Sequence, residues 1–169
     1  DRIEYEIRRR IIEPIKNREY YWQKSTCTTN WAAVCSGGVL VALLTFGIGA
    51  EIEEILPKLY PAVENFLVGY NDDGCYLEGC NYWNYGFGYF AIFARMILEY
   101  TNGKVNYFKR EKVKNIATFI QKIRLGKTKI VSFSDSSSKF TFSPGLACCL
   151  KDIYPDEFIL PPLEFGTEQ

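Results

Sequence analysis

AAVCSGGVLVALLTFGIGA, residues 32–50, carries no charged side chain. The run is about long enough to span a bilayer. Four glycines, a serine and a threonine interrupt it, and amphipathic segments flank it on both sides. Those features favour a helix buried inside a protein. Working outward, residues 2–24 place Ile3, Ile7, Ile11, Ile15 and Trp22 roughly on one helical stripe, with Arg8, Arg9, Glu13 and Lys16 on other faces. Pro14 should kink this helix or begin a second piece. The polar stretch STCTT (25–29) reads as a loop, and Asn30 as the N-cap of a helix over about 31–46 that Gly47 and Gly49 end.

Downstream, residues 50–69 are again amphipathic, with Ile52, Ile55, Leu56, Leu59, Val63, Phe66 and Leu67 against Glu51, Glu53, Glu54, Lys58 and Glu64. Asn71-Asp72-Asp73-Gly74 is a turn. A fourth helix is expected from about Tyr82 to Tyr100, closed by Asn102-Gly103, and a fifth, basic one over 110–124. TKIVSF (128–133) reads as a short strand, and Ser143-Pro144 opens a last short helix. The expected fold is therefore all-α in the main: a single helical domain, 1–169, of antiparallel helical hairpins. Helices apolar all round belong inside and amphipathic ones outside, so the hairpins should alternate outer and inner and form an arc of a toroid or solenoid. Residues 31–46 and 84–98 should be the most buried, with Arg95 paired or reaching solvent.

Formal net charge is zero, so the chain as a whole is not a nucleic-acid-binding arm. From Lys104 to Lys129, however, nine Lys/Arg face the single acid Glu111, a segment that is either a solvated helix face or an attractor of polyanions. The six cysteines contain no Cys-x-x-Cys pair and there is no histidine, so neither a zinc site nor another cofactor is expected. Adjacent Cys148 and Cys149 read as buried small hydrophobes, and the cysteine pattern leans towards a reducing, cytoplasmic setting. Asp72, Asp73 and Glu78 lack the spacing of a calcium loop.

If successive helices alternate in direction, the second and fourth run parallel, and their N-terminal ends share a rim. One end carries Thr28, Thr29, Asn30 and Trp31. The other carries Glu78, Gly79, Asn81, Tyr82, Trp83, Asn84 and Tyr85. Helix N-termini favour anions, including sugar carboxylates and sulfates. Each of these residues also has a plainer use, Asn30 as a helix cap and Tyr82, Tyr85, Tyr89 and Phe93 as one core-facing stripe.

The run Asp73-Gly74-Cys75-Tyr76-Leu77-Glu78-Gly79-Cys80-Asn81-Tyr82-Trp83-Asn84-Tyr85-Gly86 resembles the DG-x-x-x-EG-x-x-YW-x-YG pattern of heparinase II/III-like polysaccharide lyases. Thr29-Asn30-Trp31-Ala32-Ala33-Val34-Cys35-Ser36-Gly37-Gly38 is similar to that family's NW-x-x-V-x-x-GG segment, and Phe133-Ser134-Asp135 and Phe142-Ser143-Pro144 to the end of its helical domain. The resemblance implies an incomplete α/α toroid followed by a β-sandwich, acidic polysaccharides or oligosaccharides as partners, and β-elimination at uronic acids. Asn30 then matches the residue that helps hold the uronate carboxylate, and Tyr82 the tyrosine that acts as acid and sometimes base. Trp31, Trp83, Tyr85, Glu78 and Asn84 would line the substrate groove. Family enzymes commonly use a histidine as well. This chain has none and no evident β domain, so by itself it is expected to show little or no turnover. No membrane span and no nucleic-acid partner are expected.

Overall fold

The computed structural model describes residues 1–126 and 129–161. The described chain is mainly helical, with eight α-helical segments in the order α1 (Arg2–Ile7), α2 (Glu13–Asn17), α3 (Asn30–Phe46), α4 (Gly49–Val68), α5 (Cys80–Tyr82), α6 (Gly88–Tyr100), α7 (Glu111–Lys122) and α8 (Pro144–Ile153). A π turn, Arg8–Ile12, joins α1 to α2, and a second, Trp83–Phe87, joins α5 to α6. Pro14 sits at the start of α2 and cannot donate to the preceding turn. The widened π turn lies just ahead of it, where the Glu13 N–H reaches back to the Arg8 carbonyl. The first helical run ends at Asn17, short of the expected residue 24, and Tyr21–Gln23 form a separate 3-10 turn.

Cross-contacts fix the directions. Gly37 packs on Tyr89 and Gly86 on Asn30, so α3 and α6 run parallel. Phe66 meets Phe90 and Tyr60 meets Phe93, so α4 opposes α6. Trp83 reaches Ile116 while Phe90 meets Tyr107, so α7 opposes α6 as well. Asn84 binds Thr141 and Arg95 binds Asp152, which makes α8 parallel to α6. Successive long helices therefore alternate in direction, as their short connections require. Pro57 and Pro61 lie inside α4 on its exposed side, where the carbonyls they leave unbonded face water.

α3 is less enclosed than its uncharged sequence suggests. Ala33, Ser36, Leu40 and Leu43 are fully buried, yet Trp31 is 61% and Val41 42% exposed, with Gly38 and Thr45 open on the same stripe. α6 likewise buries Phe90, Phe93, Ala94 and Ile97 while exposing Ile92. Arg95 finds Glu99 and Asp152. No helix among the described residues is long and apolar enough to cross a membrane.

Some local expectations need correction. Thr29 caps α3 and Asn30 is its first helical residue. Gly47 ends α3, but Gly49 begins α4. No strand forms at 129–133. Lys129 and Ile130 make isolated bridges to Lys139 and Arg124, because each side offers one pairing residue before the chain turns away; Thr128 lies outside the described residues. Cys148 is exposed and Cys149 half-buried, since α8 packs through Leu146, Ala147 and Leu150. Within the basic segment Arg110 pairs with Glu64, Lys112 with Asp72 and Lys114 with Glu111.

Candidate functional site

The loop 70–79 carries one motif segment to the start of α3. Tyr70 and Tyr76 pair across the turn between them, with rings stacked at 4.3 Å, and Phe66 packs edge-on against both. Gly79 then redirects the chain into α5 with φ +97, a conformation that side chains rarely adopt. A Cβ there would also approach the Phe133 carbonyl at 2.9 Å.

Asn30, 7% exposed, donates from Nδ2 to Glu78 Oε2 at 3.2 Å. The same oxygen accepts the Tyr76 hydroxyl at 2.7 Å, and Tyr76 Oη lies 3.4 Å from the Thr28 carbonyl. Burial, with the Glu78 carboxylate beside it, pushes the Tyr76 phenol far above its usual range. Tyr70, deeper still, is raised by burial too, and its hydroxyl has no hydrogen-bond partner among the described residues. Cys80 beneath the mouth is pushed up to about 11 by burial, with Cys75 nearby. These thiols are therefore protonated at neutral pH and not nucleophiles.

The two motif segments meet at Gly86, where a Cβ would come within 2.9 Å of the Asn30 Cβ. Tyr82 ends α5, immediately before the π turn whose Gly86 packs on Asn30. The Tyr82 ring is half-buried against the core, and its hydroxyl makes no hydrogen bond among the described residues. Trp31, next to Asn30, and Tyr85, next to Gly86, are 61% and 52% exposed.

One residue expected in the groove does other work, and another, Asn84, bonds the backbone while also lining the groove between α6 and α8. Trp83 is 2% exposed, stacked near Phe87 and flanked by Phe140 and Phe142, with its indole N–H donating to the Ile116 carbonyl at 2.7 Å. It is core, with no face left for a sugar. Asn84 uses both ends of its carboxamide on the backbone, donating to the Thr141 carbonyl at 2.7 Å and accepting from the Ser143 N–H at 3.0 Å. It clips the entry of α8 to α6. Tyr76 and Tyr70 were not singled out from the sequence, although their placement around the Asn71–Cys75 turn is a cross-strand aromatic signal.

From Tyr85 a groove of about 530 Å³ continues between α6 and α8, lined by Tyr89, Ile92, Met96, Leu146 and Cys149. No group of His, Cys, Asp and Glu among the described residues is arranged to hold a metal ion. The chain matches no protein-family model and no curated protein. The likeness to heparinase II/III-like lyases rests on its motif segments alone.

Proposed function

We propose that this chain is the helical module of a polysaccharide lyase acting by β-elimination on uronic-acid-containing polysaccharides or oligosaccharides. The observation that supports it is the junction of the two motif segments: Gly86 packs on Asn30, and Glu78 binds it. A uronate lyase must quiet the charge of the sugar carboxylate, remove the C5 proton and protonate the leaving oxygen at C4. As the C5–H bond breaks, its electron pair forms the C4–C5 double bond and the C4–O bond departs. Asn30 keeps a second N–H for the carboxylate. Tyr82, just ahead of the π turn that packs on Asn30, supplies a hydroxyl with no hydrogen-bond partner among the described residues. Trp31 and Tyr85 supply ring faces for sugar C–H surfaces.

The test is absorbance at the unsaturated-uronate band across a panel of uronate polymers, using the full polypeptide that carries this module. Turnover of one of them is expected, and Tyr82→Phe should lower kcat by about a hundredfold or more with KM nearly unchanged. Turnover that survives Tyr82→Phe removes Tyr82 from the chemistry. Absence of both turnover and uronate binding overturns the reading. In that case a non-catalytic glycan- or protein-binding module is the alternative, favoured by the exposed Trp31 and Val41 of α3 and by the largely apolar α6–α8 groove.

A further inference from the structure

Asn30 is useful to an anionic ligand only if its nitrogen, and not its oxygen, is in the right place. The two ends of a carboxamide are nearly isosteric, so a free Asn side chain flips between them. Here the flip is decided by a neighbour. Glu78 Oε2 stands 3.2 Å from Asn30 Nδ2, and a flipped amide would set two acceptors against each other. That oxygen is itself pinned by the Tyr76 hydroxyl at 2.7 Å. Tyr76 cannot swing away: it is 4% exposed, stacked on Tyr70 and edge-on to Phe66. The order of constraint runs from a buried ring to a carboxylate to a carboxamide.

We propose that Glu78 is a positioning residue, which fixes the Asn30 carboxamide with its second N–H available to a ligand carboxylate. The proposal rests on the uronate reading of the site. It also carries an electrostatic consequence. Among the described residues no cation pairs with Glu78, and because Glu78 binds the Asn30 amide its negative charge lies close to the place a uronate carboxylate would occupy. Glu78 therefore has two opposed effects on such a ligand: its oxygen organises Asn30, and its charge repels. Glutamine at this position keeps the first and removes the second.

The experiment uses Glu78→Gln, Glu78→Ala and the unaltered protein. One measurement is ligand-free: hydrogen exchange and chemical shift of the Asn30 side-chain amide by NMR. The other is binding of alginate-derived and glycosaminoglycan-derived tetrasaccharides by calorimetry. Asn30 should be protected in the unaltered protein and in Glu78→Gln, and freely exchanging in Glu78→Ala. Affinity should fall about tenfold in Glu78→Ala, the value of one hydrogen bond, and hold or rise in Glu78→Gln. If Glu78→Gln weakens binding as much as Glu78→Ala while Asn30 stays protected, Glu78 touches the ligand itself and the positioning role is overturned. An Asn30 amide indifferent to Glu78→Ala overturns it as well. If no tetrasaccharide binds the unaltered protein but Glu78→Ala releases the amide, the uronate reading fails and the positioning of Asn30 stands. Should Glu78→Ala fail to fold, Tyr76→Phe removes the hydroxyl that pins Oε2, and the same amide must then exchange faster; no change would overturn the proposal.

Discussion

Each end of α3 has a carboxylate beside it, and the two are satisfied by opposite chemistry. At the C-terminal end both oxygens of Glu51, 7% exposed, accept from Arg8 Nη1, at 3.0 and 3.1 Å, and Oε2 also accepts the Ile48 N–H at 2.9 Å. Arg8 also donates to the Phe46 carbonyl at 2.6 Å, on the last turn of α3. Charge, helix end and turn are all matched there, and the arrangement is closed. At the N-terminal end Glu78 accepts from two neutral donors, Tyr76 and Asn30, and no described cation answers it. Tyr70 below keeps an unbonded hydroxyl, and Trp31 and Tyr85 stand open above. A fold gains nothing from an incompletely matched polar cluster. An end that stays so beside a finished one is where the proposed ligand would complete the arrangement.

The largest expected effect removes the support under the open end. Trp83→Ala should cost about 3–5 kcal/mol in urea unfolding, the usual loss for a large buried aromatic. It also leaves the Ile116 carbonyl without its indole donor. Tyr85→Ala, two residues away but 52% exposed, should stay within about 0.5 kcal/mol. Equal losses from the two would erase the division between core and mouth.

That division marks how far the sequence could be read. The hairpins, their alternating directions and the end of α6 at Asn102-Gly103 followed from periodicity and turn residues. There the Gly103 N–H reaches the Leu98 carbonyl at 2.8 Å, as a glycine-terminated helix should. The meeting of α3 with the π turn and α6 followed from alternation. The roles of individual side chains did not. Trp83 and Tyr85 differ by two positions in an apolar run, and the π turn through them shifts which one points inward. Periodicity at 3.6 residues cannot anticipate that shift. The backbone bonds of Asn84 could not be anticipated either, since its partners Thr141 and Ser143 come from a loop with no pattern of its own. The exposed stripe of α3 was hidden for the opposite reason: an uncharged helix gives no polar face to mark what stays open.

The closed end offers the next test. The Ile48 N–H, then the Arg8 guanidinium, hold the Glu51 carboxyl below its ordinary value of 4.5, against the opposing effect of burial. A carboxylate depressed in the folded state contributes stability above its unfolded pKa, and that contribution is lost as pH falls through the folded value. Glu51→Gln should therefore lower the urea midpoint at pH 7, and the gap to the unaltered protein should shrink as pH drops below 4.5. A gap independent of pH would mean that the charge of Glu51 contributes nothing and the end is held by shape alone.

The smallest effect has the most telling sign. Glu78→Gln applies the same chemical change to the open end, where two neutral donors rather than a cation meet the carboxylate. A glutamine oxygen has two lone pairs and can take both the Tyr76 hydroxyl and the Asn30 N–H. What disappears is a negative charge held partly out of water with no cation to offset it, a term that opposes folding. The ligand-free protein should thus be unchanged within about 0.5 kcal/mol, or slightly more stable, when Glu78 becomes glutamine. The two carboxylate-to-amide changes, at opposite ends of one helix, should then move the urea midpoint differently at neutral pH: down at Glu51, level or up at Glu78. If Glu78→Gln destabilises as much as Glu51→Gln, the charge of Glu78 is matched in the folded protein after all. The N-terminal end of α3 would then be as closed as the C-terminal one, and the space beside Asn30 would have no unmet charge or donor for a ligand to complete.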